Sequence, residues 1–275
     1  MLNRQDIRIR DPFILREDNV YYMFGTTDLV EGSLRAGKTF SVYTSTDLEQ
    51  FNEPKVVVDA DALGFWGQFD FWAAEVHKYN GRYYLFGSCK AEGMHRATQI
   101  FVCDTPDGAY VPLAETARTP KDWECLDGTL WVENGKPYMV FCHEWTQIKN
   151  GQVCAMPLSD DLTHPIGEPT VLFCANDNPQ VTAIGKDKDC YITDGPFLFF
   201  EDGRIKMIWS SVANNRYAVL EAQADSLLGP WTHFDSRFDF DGGHAMLFAD
   251  ESGRRHISLH APNRANEERA TFFAY

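Results

Sequence analysis

Thr193-Asp194-Gly195-Pro196-Phe197-Leu198-Phe199-Phe200-Glu201-Asp202-Gly203-Arg204-Ile205-Lys206-Met207-Ile208-Trp209 is the stretch that decides the fold. Two short apolar runs flank Asp202-Gly203, a dipeptide suited to the tight turn of a β-hairpin. Outward from it, four more segments follow the same plan. Pro12-Phe13-Ile14-Leu15 is followed by Tyr21-Tyr22-Met23-Phe24, and Glu75-Val76-His77 by Tyr83-Tyr84-Leu85-Phe86. Thr129-Leu130-Trp131-Val132 is followed by Tyr138-Met139-Val140-Phe141, and Ala245-Met246-Leu247-Phe248 by Arg255-His256-Ile257-Ser258-Leu259. Their turns carry Asn80-Gly81, Asn134-Gly135 and Ser252-Gly253. Between hairpins lie further strand-like runs, including Phe40-Ser41-Val42-Tyr43, Gln99-Ile100-Phe101-Val102 and Ala218-Val219-Leu220-Glu221-Ala222. Repeats of roughly 40–50 residues with four strands each are propeller blades. No helical pattern alternates with the strands, which argues against a parallel α/β sheet. A β-sandwich is the alternative, and five roughly equal repeats disfavour it. The expectation is an all-β, single-domain, five-bladed β-propeller over residues 1–275.

Aligning the segments on Asn19, Gly81, Gly135, Gly203 and Gly253 puts Asp11, Ala73, Asp127, Asp194 and His244 at equivalent places, eight or nine residues upstream. Four of the five are ionisable. The innermost strand of each blade lines the central channel, so Asp11, Asp127, Asp194 and His244 are expected to meet at one channel mouth.

Composition narrows the partners. Forty Asp and Glu against 25 Lys and Arg give a net charge of -15, which repels phosphate backbones and anionic lipid. Neither nucleic acid nor a membrane is an expected partner; an uncharged oligosaccharide is. The seven cysteines are odd in number and form no Cys-x-x-Cys, against a disulfide framework or a structural zinc site. Residues 1–6 have no signal-peptide core, so a cytoplasmic location is expected.

Carboxylates converging on an enclosed pocket acquire different pKa values, as glycoside hydrolysis requires: a protonated acid on one side and an ionised partner opposite. Each candidate has a plainer reading. Asp127-Gly128 and Asp194-Gly195 could be ordinary turns, Asp11 beside Arg10 an ion pair, and His244 after Gly242-Gly243 a hydrogen-bonded loop residue. The shared offset favours the joint functional reading. Phe71 and Trp72 are the expected aromatic wall for a sugar ring. Glu75 and the polar-aromatic cluster His143-Glu144-Trp145 are further candidates for substrate binding. That cluster is not His-Glu-x-x-His, so a zinc protease is not indicated.

These residues together resemble glycoside hydrolase family 43 over nearly the whole chain. Arg10-Asp11-Pro12-Phe13 resembles the family's opening motif, whose aspartate is the general base. Trp72-Ala73-Ala74-Glu75-Val76 is similar to its Trp-Ala-Pro-Glu/Asp element, with Ala74 where proline is usual. Leu126-Asp127-Gly128 falls at the aspartate that tunes and orients the acid. Thr193-Asp194-Gly195-Pro196 falls at the Glu-Gly-Pro element of the general acid, with an aspartate one methylene shorter in place of glutamate. Gly242-Gly243-His244 resembles the element of the central histidine that, in many members, helps hold calcium or another ion through water.

The resemblance implies an inverting, exo-acting glycosidase that removes α-L-arabinofuranosyl or β-D-xylosyl units from oligosaccharides. No cofactor is expected in the chemistry; a structural calcium is expected near His244. Because Asp194 is short, Glu144 or Glu75 is an alternative proton donor, and a catalytically silent carbohydrate-binding propeller is the alternative function.

Overall fold

The structure, a computed structural model, describes residues 1–236 and 238–275. Five antiparallel sheets are arranged as the blades of a β-propeller. The inner strands are Arg10–Glu17, Phe69–Tyr79, Cys125–Glu133, Asp194–Glu201 and Gly243–Ala249, heading blades 1 to 5. Each turns back into a second strand: Val20–Thr26, Arg82–Lys90, Lys136–His143, Arg204–Ala213 and Arg255–Ala261. Gly81, Gly135, Gly203 and Gly253 all have φ between +77° and +79°, the conformation that a tight hairpin turn demands.

Four strands per blade holds only for blades 2, 3 and 4. Among the described residues, blade 5 has three strands and blade 1 has six. The extra strands of blade 1 include Leu2–Asn3, which pairs with Gln50–Phe51 at the outer edge of the same sheet. The beginning of the chain therefore does not complete blade 5. Side chains and one backbone contact close the circle instead. Arg8 Nε donates to Glu268 Oε2 at 3.0 Å, Ile9 N–H to Glu268 O at 3.4 Å and Ser258 Oγ to Pro12 O at 2.7 Å.

The core lies between neighbouring blades. Phe40, Phe71 and Phe101, all fully buried, pack between blades 1 and 2, with Phe40 and Phe71 centroids 5.1 Å apart. Trp209 and Phe173 serve blades 3 and 4 at 5.2 Å. Apolar interdigitation of this kind, rather than interstrand hydrogen bonding, joins blade to blade.

Every inner strand bulges near its start. The pairing with the second strand slips at Arg10/Phe13, Trp72/Glu75, Leu126/Thr129, Asp194/Phe197 and Gly243/Met246. At each slip one residue is left-handed: Asp11 (φ 56°), Ala73 (50°), Asp127 (56°), Gly195 (50°) and His244 (55°). A bulge re-aims side chains at the end of a strand, here toward the channel mouth. The equivalence expected for blade 4 is thus displaced by one residue: Gly195 occupies the bulge position, and Asp194 precedes it.

The second strands anchor these bulges. Ala73 N–H donates to Thr26 Oγ1 at 2.9 Å, Asp127 N–H to Ser88 Oγ at 2.9 Å and His244 N–H to Ser210 Oγ at 2.7 Å. Across the closing junction, Asp11 N–H donates to His260 Nδ1 at 3.1 Å. In four cases the acceptor belongs to the preceding blade and sits opposite the residue before that blade's own bulge.

Candidate active site

The bulges surround a cavity of about 330 Å³ lined by Asp11, Trp72, Asp127, Glu144, Asp194 and Tyr217, among others. His244 lies at its base. Its Nδ1 is 3.2 Å from Asp11 Oδ1 and 3.8 Å from Asp127 Oδ2, so one imidazole bridges two carboxylates. Asp11 Oδ2 also accepts from Thr26 Oγ1 at 2.5 Å. Asp127 Oδ2 accepts from Gly195 N–H at 2.9 Å, tying the blade 3 carboxylate to the backbone beside Asp194. Asp194 Oδ2 accepts from Tyr217 OH at 3.2 Å.

Gly195 is required twice over. Its φ is left-handed, and a Cβ there would meet the His244 ring at 2.8 Å. The ring of His244 thus lies against the backbone that follows Asp194.

Burial and neighbouring charge separate the carboxylates. For Asp11, burial favours the neutral form, but the His244 charge, the His260 contact and the Arg10 charge outweigh it and hold its pKa well below the usual range. Burial raises Asp127 to about 6, with His244 opposing and Asp11 reinforcing. Burial raises Asp194 further, to about 8, reinforced chiefly by the negative charge of Asp127. His244 is raised: burial opposes its charge, but Asp11 and Asp127 overcome it. Burial lowers His260, aided by Arg10, which suits a neutral ring whose Nδ1 accepts from an amide. The pocket therefore combines Asp11, held in its ionised form, with Asp194, which keeps its proton to higher pH, while His244 bridges Asp11 and Asp127.

Of the expected site residues, Asp11, Asp127, Asp194, Trp72, Glu144 and His244 line the cavity, while Phe71, Glu75 and His143 do not. Phe71 is fully buried against Phe40, because neighbours on a strand point to opposite faces and Trp72 takes the channel side. Glu75 is buried with its Oε2 3.1 Å from His77 Nε2. His143 is stacked on Trp123 at 4.1 Å, with its Nε2 2.8 Å from Gln147 Oε1.

Several residues in the pocket, or packed behind its lining, escape sequence reasoning. Arg96, from the third strand of blade 2 and its lead-in, stacks its guanidinium 3.7 Å from the Trp72 ring centre. It lies 3.5 Å from Glu144 Oε2 and 3.4 Å from Asp70 Oδ2. Arg35 comes from the long loop inside blade 1 and binds Asp70 Oδ1 at 2.7 Å. Arg10 Nη1 donates to Asn263 Oδ1 at 2.6 Å. Ile192 and Val212 also line the cavity, as does Trp145 from the cluster picked out in the sequence.

A metal has few donors here. Among the described residues no group of three or more His, Cys, Asp or Glu side chains is arranged to hold an ion. His244 Nε2 is buried and lacks a hydrogen-bond partner, which makes it one available donor atom. Calcium prefers six to eight oxygens, so only an ion carrying most of its own water fits, and a proton competes for that nitrogen.

The family model for glycosyl hydrolases family 43 matches residues 6–273. The endo-arabinase of Bacteroides thetaiotaomicron VPI-5482 superposes with a TM-score of 0.90 at 36% identity, covering 100% of this chain and 96% of that one. An alpha-L-arabinofuranosidase from Lactobacillus brevis gives 0.79 at 17% identity, covering 99% and 94%, a likeness of fold. The extracellular endo-alpha-(1->5)-L-arabinanase 1 of Bacillus subtilis (strain 168) is 20% identical over 255 residues, 87% of this chain and 72% of that protein. With the family pattern running from end to end of the propeller, the chain belongs to glycosyl hydrolases family 43 and is a glycosidase.

Proposed function

We propose that the chain hydrolyses internal α-1,5 bonds of L-arabinofuranose oligosaccharides by a single inverting displacement. The observation that carries this reading is the meeting of Asp11, Asp127 and Asp194 in one cavity, with Gly195 N–H tying Asp127 to the backbone beside Asp194. Asp11, ionised, takes a proton from a water as that water attacks the anomeric carbon. Asp194, protonated, gives its proton to the glycosidic oxygen as the carbon–oxygen bond breaks. Asp127 keeps Asp194 protonated through its charge and keeps it in place through Gly195 N–H. Trp72, braced from behind by Arg96, offers its surface to a sugar ring, and Glu144 accepts sugar hydroxyls.

Internal cleavage, rather than the exo action inferred from the sequence, is favoured by the 36% identical relative described as an endo-arabinase. Incubation with linear arabinan and with arabinopentaose tests both points. Mixed short oligosaccharides are the expected early products, with the inverted β-anomer seen first by NMR. Release of arabinose alone would restore the exo reading, and no hydrolysis by folded protein would leave the carbohydrate-binding alternative.

Two secondary assignments accompany this reading. The seven free cysteines, four of them buried, fit a reducing compartment such as the cytoplasm. A hydrated calcium beside His244 Nε2 would be structural; chelation is then expected to lower the melting temperature without altering the products.

A further inference from the structure

We infer that Tyr217 is the positioning residue that makes an aspartate serve as the proton donor. This rests on the assignment of Asp194 as the general acid. Tyr217 begins the third strand of blade 4, Arg216–Ala224, and so reaches Asp194 across the intervening second strand. Its OH donates to Asp194 Oδ2 at 3.2 Å. That contact occupies one carboxyl oxygen, Oδ2, and leaves the other to carry the proton.

The tyrosine is itself held from two sides. Its ring stacks on His260 at 5.6 Å with an interplanar angle of 22°. It also lies across Gly243, where a Cβ would come within 2.5 Å of its Cε1. An alanine at 243 would drive the phenol away from Asp194. The absence of a side chain on blade 5 thus creates the berth from which a blade 4 tyrosine grips the acid. Asp127 fixes the backbone immediately after Asp194, and Tyr217 fixes its carboxyl group. With both constraints the shorter side chain has one orientation, and its proton is delivered along it.

Leaving-group dependence tests the assignment. Tyr217→Phe is expected to lower kcat on arabino-oligosaccharides by about tenfold to a hundredfold with little change in KM. On a 2,4-dinitrophenyl glycoside of an arabino-oligosaccharide, whose dinitrophenolate departs without protonation, the loss should be under about threefold. In an Asp194→Glu background the longer acid no longer meets the phenol in the same way, so Tyr217→Phe should add little further loss. Equal losses on both substrates, a loss confined to KM, or full additivity with Asp194→Glu would overturn the role of Tyr217. Full activity of Asp194→Asn on oligosaccharides would instead overturn the acid assignment itself.

Discussion

At the junctions leading into blades 1, 2, 3 and 5, a side chain of the preceding blade takes the bulge amide: His260, Thr26, Ser88 and Ser210. The junction into blade 4 differs. The equivalent position, opposite Leu126, is Cys142, and the Gly195 amide goes instead to the Asp127 carboxylate. Thus Asp11 has its own amide anchored; among the described residues its carboxylate meets only side chains, including Thr26 Oγ1 and His244 Nδ1, and holds no backbone amide. Asp127 is anchored in the same way, but one of its oxygens is engaged in architecture. A residue that holds the frame and sets a neighbour's pKa cannot be removed without affecting both, and that difference separates the base from its partner.

The largest effect expected is from Asp11→Asn, which removes the base and leaves the frame. Activity on arabino-oligosaccharides should fall roughly a hundredfold to ten-thousandfold while circular dichroism still reports a folded propeller. A merely modest loss of affinity, with no hydrolysis to lose, would mark a binding protein. Asp127→Ala should lower activity about a hundredfold and also destabilise the fold by about 1–3 kcal/mol, because the buried Gly195 N–H loses its acceptor. Unchanged stability in a denaturant titration would break the comparison.

Activity should also fall about tenfold per pH unit above the pKa of Asp194, near 8, as the acid loses its proton. In Asp127→Asn the nearby negative charge is gone, so the acid is easier to ionise and this alkaline limb should move to lower pH. A limb that stays in place would show that burial alone raises Asp194. Cys142→Ser supplies a hydroxyl like those present at three other junctions. It should draw the Gly195 amide away from Asp127 and lower kcat by about threefold, less than one tenfold step of 1.4 kcal/mol. The smallest effect belongs to Ser210→Ala, which loses one amide anchor and should destabilise by about 1 kcal/mol. Thermal melts check it.

The hairpins were legible because their turns need glycine at positive φ, and four glycines mark them. Blade count and the order of Asp11, Asp127 and His244 followed from that spacing. The blade 4 alignment slipped by one because a bulge adds a residue that turn counting cannot see, so three of the five bulge positions, not four, are ionisable. Phe71 was placed in the pocket for a related reason: bulges in the inner strand of blade 2 decide which of two adjacent aromatics faces inward. Tyr217, Arg96 and His260 gave no local signal. They reach the site from second and third strands, and only the closed circle brings them near Asp194, Trp72 and Asp11.

Because Leu2–Asn3 stays with blade 1, the contact between the first and last blades is the one junction bridged by no continuous polypeptide. His260 meets Asp11 there, and His244 of the last blade meets the same carboxylate. Local separation at this boundary requires less free energy than melting of the whole domain. Loss of activity on moderate heating is therefore expected to precede loss of the β signal in a thermal melt.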